Sequence, residues 1–403
     1  MSTISAVAPS QNRVPLLSAA AIVLGAVIIG VVFGANIGLL MIVGGLLGLV
    51  LYHAAFGFTA AWRVFITERR GRGLRAQMVM LAIAVVLFFP ALSAGSLFGT
   101  SVSGFVAPIG ISVVVGAFIF GVGMQLGGGC ASGTLFTAGG GNARMLITLL
   151  FFIVGSVIGS AHFSWWQSLP AFQPVSLVNV AGAGGGIAIS LVLFAAITAF
   201  TVIMEKRRHG HLEQAPLVDK PGSQRWLTGP WPLMAGAVAL ALLNFATLAL
   251  AGRPWGITSA FALWGAKGFE LVGGDVSQWG YWQAPGNAAA LEASVWSDIT
   301  TVMNVGIMLG ALAAASLAGR FAPNFRIPFK SLLAAVIGGV MLGYGARLAF
   351  GCNIGAYFSG IASGSLHGWI WMVAAFAGNM VGVKLRPFFF SGVEGRQPVA
   401  KSC

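Results

Sequence analysis

The stretch GVGMQLGGGCASGTLF at 121–136 has a second copy in the same chain, GYGARLAFGCNIGAYF at 343–358. Gly121, Gly123, Leu126, Gly129, Cys130, Gly133 and Phe136 fall on Gly343, Gly345, Leu348, Gly351, Cys352, Gly355 and Phe358 at one offset of 222. Further on, Gly155 and Gly159 answer Gly378 and Gly382 with a slip of one residue, and such small-xxx-small pairs let two helices approach closely. A fainter likeness sets FGFTAA at 56–61 against WGITSA at 255–260, each ahead of the corresponding cysteine segment. The chain is therefore read as two copies of one pattern, each placing a single cysteine among glycines.

The surroundings of those copies are those of a membrane protein. Of 403 residues 57% are apolar and 8% charged, against roughly 25% charged in a soluble domain. Apolar runs near the ~20 residues needed to cross hydrocarbon recur at 16–33, 36–53, 77–98, 104–124, 144–162, 185–204, 232–251, 299–318, 329–347 and 366–388. The first run is read as a retained helix, because no A-x-A-type cleavage site separates it from the next. Four stretches, 56–67, 125–141, 254–268 and 352–364, are too short or too rich in glycine and proline to span. They read as re-entrant half-helices, which polar backbone permits only against protein or a watered cavity. The expected fold class is an all-α polytopic membrane protein of about nine or ten transmembrane helices plus about four half-helices.

Each copy runs span, half-helix, two spans, half-helix, span. The copies start at the second and seventh spans, and an odd shift inverts one copy relative to the other. The expected division is one membrane domain over 1–403. It comprises an extra N-terminal span at 1–35, a first repeat at 36–162, a connecting span and cytoplasmic linker at 163–231, a second repeat at 232–390 and a cytoplasmic tail at 391–403. With both termini inside, eighteen of the 22 Lys and Arg face the cytoplasm, as the positive-inside rule asks. That places the chain in a bacterial inner membrane, and it makes the net charge of +13 a matter of topology and anionic lipid rather than of nucleic acid. Trp165, Trp166, Trp279, Trp282 and Trp296 read as interface anchors on the other side, and His162 and His367 as residues of outer helix ends.

The chemistry expected along the path is that of an anion. All nine Asp and Glu are assigned to loops, so no carboxylate is expected at mid-membrane to hold a cation or relay protons. The four basic residues outside the inner set, Arg63, Arg253, Lys267 and Arg347, sit on or beside half-helices. Arg347 and Arg253, with Thr258 and the N–H groups of half-helix N-termini, make the candidate attracting set. Gly128, Gly129 and Gly133, and Gly351, Asn353 and Gly355, bracket Cys130 and Cys352 and let backbone come close to what passes. A thiol offers a weak S–H donor and a soft, polarizable sulfur, suited to a sulfur-bearing anion held weakly enough to leave. Neither cysteine has a His, Asp or Glu beside it, so no metal site is expected, and no cofactor or catalytic residue is assigned. Cys403 reads as an incidental tail thiol.

At these residues the chain resembles the YeeE/YedE family of sulfur-transport membrane proteins, which includes thiosulfate permeases. The carrying motifs are GVGMQLGGGCASGTLFTAGGG, GRPWGITSAFALWG and GYGARLAFGCNIGAYFSGIASGSLHGW, and the likeness spans roughly 36–390. The resemblance implies an hourglass of half-helices that passes thiosulfate inward by contacts to Cys130 and Cys352. The family's third cysteine, in an F-C-F-type motif, is replaced here by Gly57. Its loss opens the substrate to other sulfur or selenium species, and a small cytoplasmic sulfur-carrier protein is the candidate protein partner. Two other readings stand beside a permease. One is an intramembrane sulfurtransferase, which would need an activated thiol although only Arg347 lies near one in sequence. The other is a membrane anion sensor.

Overall fold

The computed structural model describes residues 13–214 and 222–390, so Cys403, the tail and the middle of the linker, with Asp219 and Glu394, lie outside the described residues. Among the described residues the regular structure is helical, apart from four two-residue strands in connecting loops. The first half carries α1 (Val14–Phe33), α2 (Ala35–His53), α3 (Phe58–Glu68), α4 (Arg72–Ala94), α5 (Ile111–Gly127), α6 (Ala131–Gly139) and α7 (Ala143–Ala161). A long helix α8 (Leu177–His209), interrupted where Gly182 leaves helical backbone at φ 70°, leads to the second half. There α9 (Leu233–Ala251), α10 (Thr258–Leu271), α11 (Ile299–Leu317) and α12 (Phe329–Leu348) precede a π-helix at Asn353–Ser359, and α13 (Leu366–Phe390) closes the chain. Among the described residues ten helices are long and apolar enough to cross a membrane, and the protein is a multi-pass membrane protein.

The helices begin and stop where local chemistry requires. Gly34 separates α1 from α2 at φ 113°, and Gly95 and Gly128 end α4 and α5 in the left-handed region open to glycine. The C-terminal carbonyls of α5 are taken up by arginines: Arg144 donates to Leu126 O at 2.6 Å and Gly127 O at 2.9 Å, and Arg386 to Gln125 O at 2.6 Å. Guanidinium groups there also oppose the negative end of the helix dipole.

α2 packs on α11 and α4 on α9, while α5 packs on α13 and α7 on α12, with α5 against α12 at the centre. α3 touches α13, and α10 touches α7. Glycine makes these approaches close. A Cβ on Gly48 or Gly310 would strike the carbonyl of Ile307 or Gly45, and Gly155 and Gly378 lie equally close to the backbone of Val340 and Phe118. In their apolar 18-residue stretches α1 and α8 have 17% of residues buried and α11 has 72%, so α1 and α8 form the periphery.

Several expectations are corrected. The fourth span starts at Ile111, not 104, because Pro108 has no N–H to continue a helix and Ile109 and Gly110 instead pair with Phe172 and Ala171. The acids are not confined to loops: Glu205 is fully buried in α8, 2.7 Å from Arg75, and Glu68, Glu270 and Glu292 are also helical. Trp282 is buried, donating to Ser160 Oγ at 3.3 Å, so it is not an exposed interface anchor; His367 stands at a helix end, second in α13, and is buried beside Ala349 O at 3.0 Å. The segment at 352–364 is wound mainly as a π-helix, with Ala356 N and Tyr357 N both bonded to Cys352 O. Such widened turns occur frequently at functional sites.

Candidate functional site

Two cavities open at opposite ends of α9, whose 19 residues separate them by roughly 28 Å. The larger, about 360 Å³, gathers Arg253, Thr258, Arg347, Gly351 and Gly355 in one wall with Tyr281. Its polar side is the N-terminus of α10, where Thr258 and Ser259 begin the helix and the first N–H groups have no intrahelical acceptor. Arg347, in the last turn of α12, is 6% exposed, and its guanidinium donates to Thr258 Oγ1 at 2.8 Å and to Tyr281 Oη at 2.5 Å. The Tyr281 ring lies 5.3 Å from the guanidinium carbon. Gly159 on α7 provides the seat: a Cβ there would stand 2.8 Å from Arg347 Cβ. Nε of Arg347 is buried with no hydrogen-bond partner among the described residues. Arg253 differs from the sequence expectation, because it is not an unpaired charge. It lies 3.9 Å from Asp298 Oδ1, donates to Thr300 Oγ1 at 3.2 Å and keeps 44% of its side chain exposed. Lys267 lies outside this wall, donating to Leu291 O at 2.7 Å.

The smaller cavity, about 160 Å³, is bounded by Phe56, Gly57, Arg63, Arg70, Arg72 and Gln77, among others. Between the two stands a dry aromatic layer. Phe58 sits edge-on to Phe56 and Tyr357, Tyr357 stacks on Trp371, and Trp255 meets Phe358, with all six rings at most 2% exposed. The Trp255 side of the layer is pinned by Asn244, which accepts from Trp255 N at 2.9 Å and donates to Ser359 Oγ at 3.2 Å.

Cys352 and Cys130 belong to the same buried core as these rings and line neither of the two cavities. Both act as helix caps. Cys130 Sγ accepts from Gly133 N at 3.5 Å and lies 3.3 Å from Ser132 Oγ, at the start of α6. Cys352 Sγ accepts from Ile354 N at 3.4 Å at the start of the π-helix, which touches α6. Gly351 and Gly355, on either side of Cys352, reach the larger cavity, and Gly355 has open space where a Cβ would stand. Asn353 is fully buried, and neither atom of its amide finds a partner among the described residues. Gly128, Gly129 and Gly133 serve the turn into α6; the structure does not bring them to a cavity.

Two residues of this arrangement escape a reading of sequence alone. Tyr281 comes from a one-turn helix, Gly280–Gln283, too short for periodicity to place it. Gln125 had a signal: it occupies, in the first copy, the register of Arg347 in the second. Its amide donates to Thr59 O at 3.2 Å, just as Arg347 donates to Thr258, and to Asn379 Oδ1 at 2.6 Å. One copy thus carries a cation where the other carries a neutral amide.

A model of the family described as sulphur transport matches residues 53–381, which includes both cavities and both cysteines. The chain belongs to that family. Within it, the chain is 29% identical to the thiosulfate transporter TsuA of Spirochaeta thermophila over 352 residues, 84% of this chain and 96% of that protein. The thiosulfate transporter TsuA of Escherichia coli is 25% identical over 346 residues, 83% of this chain and 90% of its own length. The probable transporter YedE of Escherichia coli is 34% identical over 168 residues, and the match spans only 40% of that relative's length.

Proposed function

We propose that the protein is a permease, not an enzyme, that takes up thiosulfate or a related sulfur-containing anion between its two cavities. The observation that carries this is the wall around Arg347: a buried guanidinium and the N-terminus of α10 face one cavity whose lining contains no carboxylate. A positive, carboxylate-free basin concentrates anions and rejects cations. Arg347, Arg253 and Thr258 attract the anion at this entrance. Gly351 and Gly355 present backbone to it, and the unpartnered Asn353 amide and the Cys352 and Cys130 thiols lie along the next step through the aromatic layer. Gly128, Gly129 and Gly133 act by shaping the turn at Cys130. Crossing requires the aromatic layer to part, and thiols grip weakly enough for release.

Matched packing of the two halves supports an inverted repeat over 36–162 and 232–390. α2 on α11 answers α9 on α4, and α7 on α12 answers α13 on α5. The short helices α3, α6, α10 and the π-helix then serve as the half-helices that pinch an hourglass. In this reading the Arg253 cavity faces outward, both termini are cytoplasmic and the membrane is the bacterial inner membrane, while a small sulfur-carrier protein is a candidate recipient inside. The names of the two thiosulfate transporters favour thiosulfate over selenium species as the first substrate to try. The experiment is uptake of labelled thiosulfate, sulfite, sulfate and selenite into proteoliposomes. Thiosulfate accumulation above that of empty vesicles supports a permease, and its absence with retained binding would favour an anion sensor.

A further inference from the structure

Gln77 of α4 is 1% exposed and belongs to the wall of the smaller cavity, beside Gly57. Its carbonyl oxygen accepts from Trp62 Nε1 at 2.9 Å and from Tyr357 Oη at 3.4 Å. An indole N–H can only donate, so the atom facing Trp62 must be the amide oxygen and the orientation of the amide is set. The NH₂ group is then left over, buried and without a partner among the described residues. A buried polar group left unsatisfied calls for a ligand, because leaving it bare costs the full desolvation of the donor.

The neighbouring backbone offers donors of the same kind. α3 begins at Phe58 after Gly57, with no side-chain cap, and Gly57 and Ala60 both border the cavity. The first N–H groups of an 11-residue helix therefore border the same cavity as Gln77. Arg63, Arg70 and Arg72 stand in the same wall, as does the carboxylate-bearing Glu213.

We infer that the Gln77 NH₂ group and the N-terminus of α3 form a second anion-binding site, on the far side of the aromatic layer from Arg347. This site rests on the permease reading for its role, which is to receive the anion after it passes Tyr357. Its ligand class is a small oxyanion, held directly by the Gln77 amide and helix N–H groups, with Arg63, Arg70 and Arg72 in the surrounding wall. Gln77 also couples the site to the layer itself, since its oxygen holds Trp62 and Tyr357 in place.

The test uses the full-length protein in proteoliposomes for thiosulfate uptake, and in detergent for thiosulfate binding by calorimetry. In Gln77→Glu an acceptor for Trp62 and Tyr357 is kept while the NH₂ donor is removed. An ionised carboxylate repels the anion, whereas a protonated one can donate to it. Uptake by Gln77→Glu should therefore be about tenfold below wild type near pH 8 and recover toward pH 6, while wild type changes little over that interval. Gln77→Leu should lose uptake without pH dependence. Wild-type uptake by Gln77→Glu at both pH values would overturn the site, and so would an equal loss at both, which marks a merely structural amide. If the wild type binds thiosulfate without transporting it, and Gln77→Glu loses that binding as pH rises, the permease reading falls and the site stands. Absence of both binding and uptake by the wild type would overturn both.

Discussion

Replacing Arg347 with Gln should weaken anion capture far more than the same change at Arg253, although both line one cavity. Arg347 is 94% buried by virtue of its 6% exposure, and its guanidinium is fixed by Thr258 and Tyr281 with Nε left without a partner. A charge-assisted hydrogen bond from such a group contributes about 1.5–3 kcal/mol. At about 1.4 kcal/mol per factor of ten, its loss raises the KM for thiosulfate uptake about 10- to 100-fold. Arg253 has 44% of its side chain in solvent and shares its charge with Asp298, so its removal is worth at most about 1 kcal/mol, or roughly fivefold. The Arg253 effect should also shrink with added salt, whereas that of Arg347 persists. Arg347→Lys keeps the charge but cannot reproduce the fork to Thr258 and Tyr281, and should fall between wild type and Gln. The assay is initial uptake of labelled thiosulfate across a concentration series in proteoliposomes, at matched protein content. Equal effects at the two arginines, or an unchanged KM in Arg347→Gln, would refute the placing of the entrance site at Arg347.

Gly57→Cys should be tolerated, because Gly57 has β-type backbone and a Cβ there stands 3.8 Å from Ala60 Cβ and 3.9 Å from Ala55 O, ordinary contacts. By restoring the family's thiol to the smaller cavity it should raise the preference for thiosulfate over sulfate, read as the ratio of the two uptake rates; an unchanged ratio would show that this position does not select substrate. Gly310→Ala places a methyl group on the backbone carbonyl of Gly45, so it should cost about 1–3 kcal/mol of stability and lower the melting temperature in detergent without changing substrate preference.

The ten spans are legible in sequence because hydrocarbon thickness dictates the length of an apolar run, whatever the packing inside. The boundary that failed, at the start of α5, failed for a local reason: residues near Pro108 are apolar enough to span but pair as extended backbone with Ala171 and Phe172. Cys130 and Cys352 stand out because glycine brackets them twice over, and burial explains why both also serve as caps. Gln77 gives no such sign. Near the start of a helix it reads as an ordinary polar residue at a membrane interface, and only the fold brings Trp62 and Tyr357 to its oxygen. Likewise Trp282 has the composition of an interface residue, and its tertiary contact to Ser160 buries it.

In the proposed permease the Cys352 sulfur takes part in carrying the anion, and serine at Cys352 separates that role from capping. A serine hydroxyl caps a helix start well, so Cys352→Ser preserves the bond to Ile354 N while removing the polarizable sulfur. The deciding measurement is the initial rate of labelled thiosulfate uptake into proteoliposomes by wild type and Cys352→Ser, normalised to folded protein. The account predicts rapid uptake by wild type and a rate near that of empty vesicles for the serine variant. Equal rates for the two would contradict it, leaving Cys352 as a cap and nothing more.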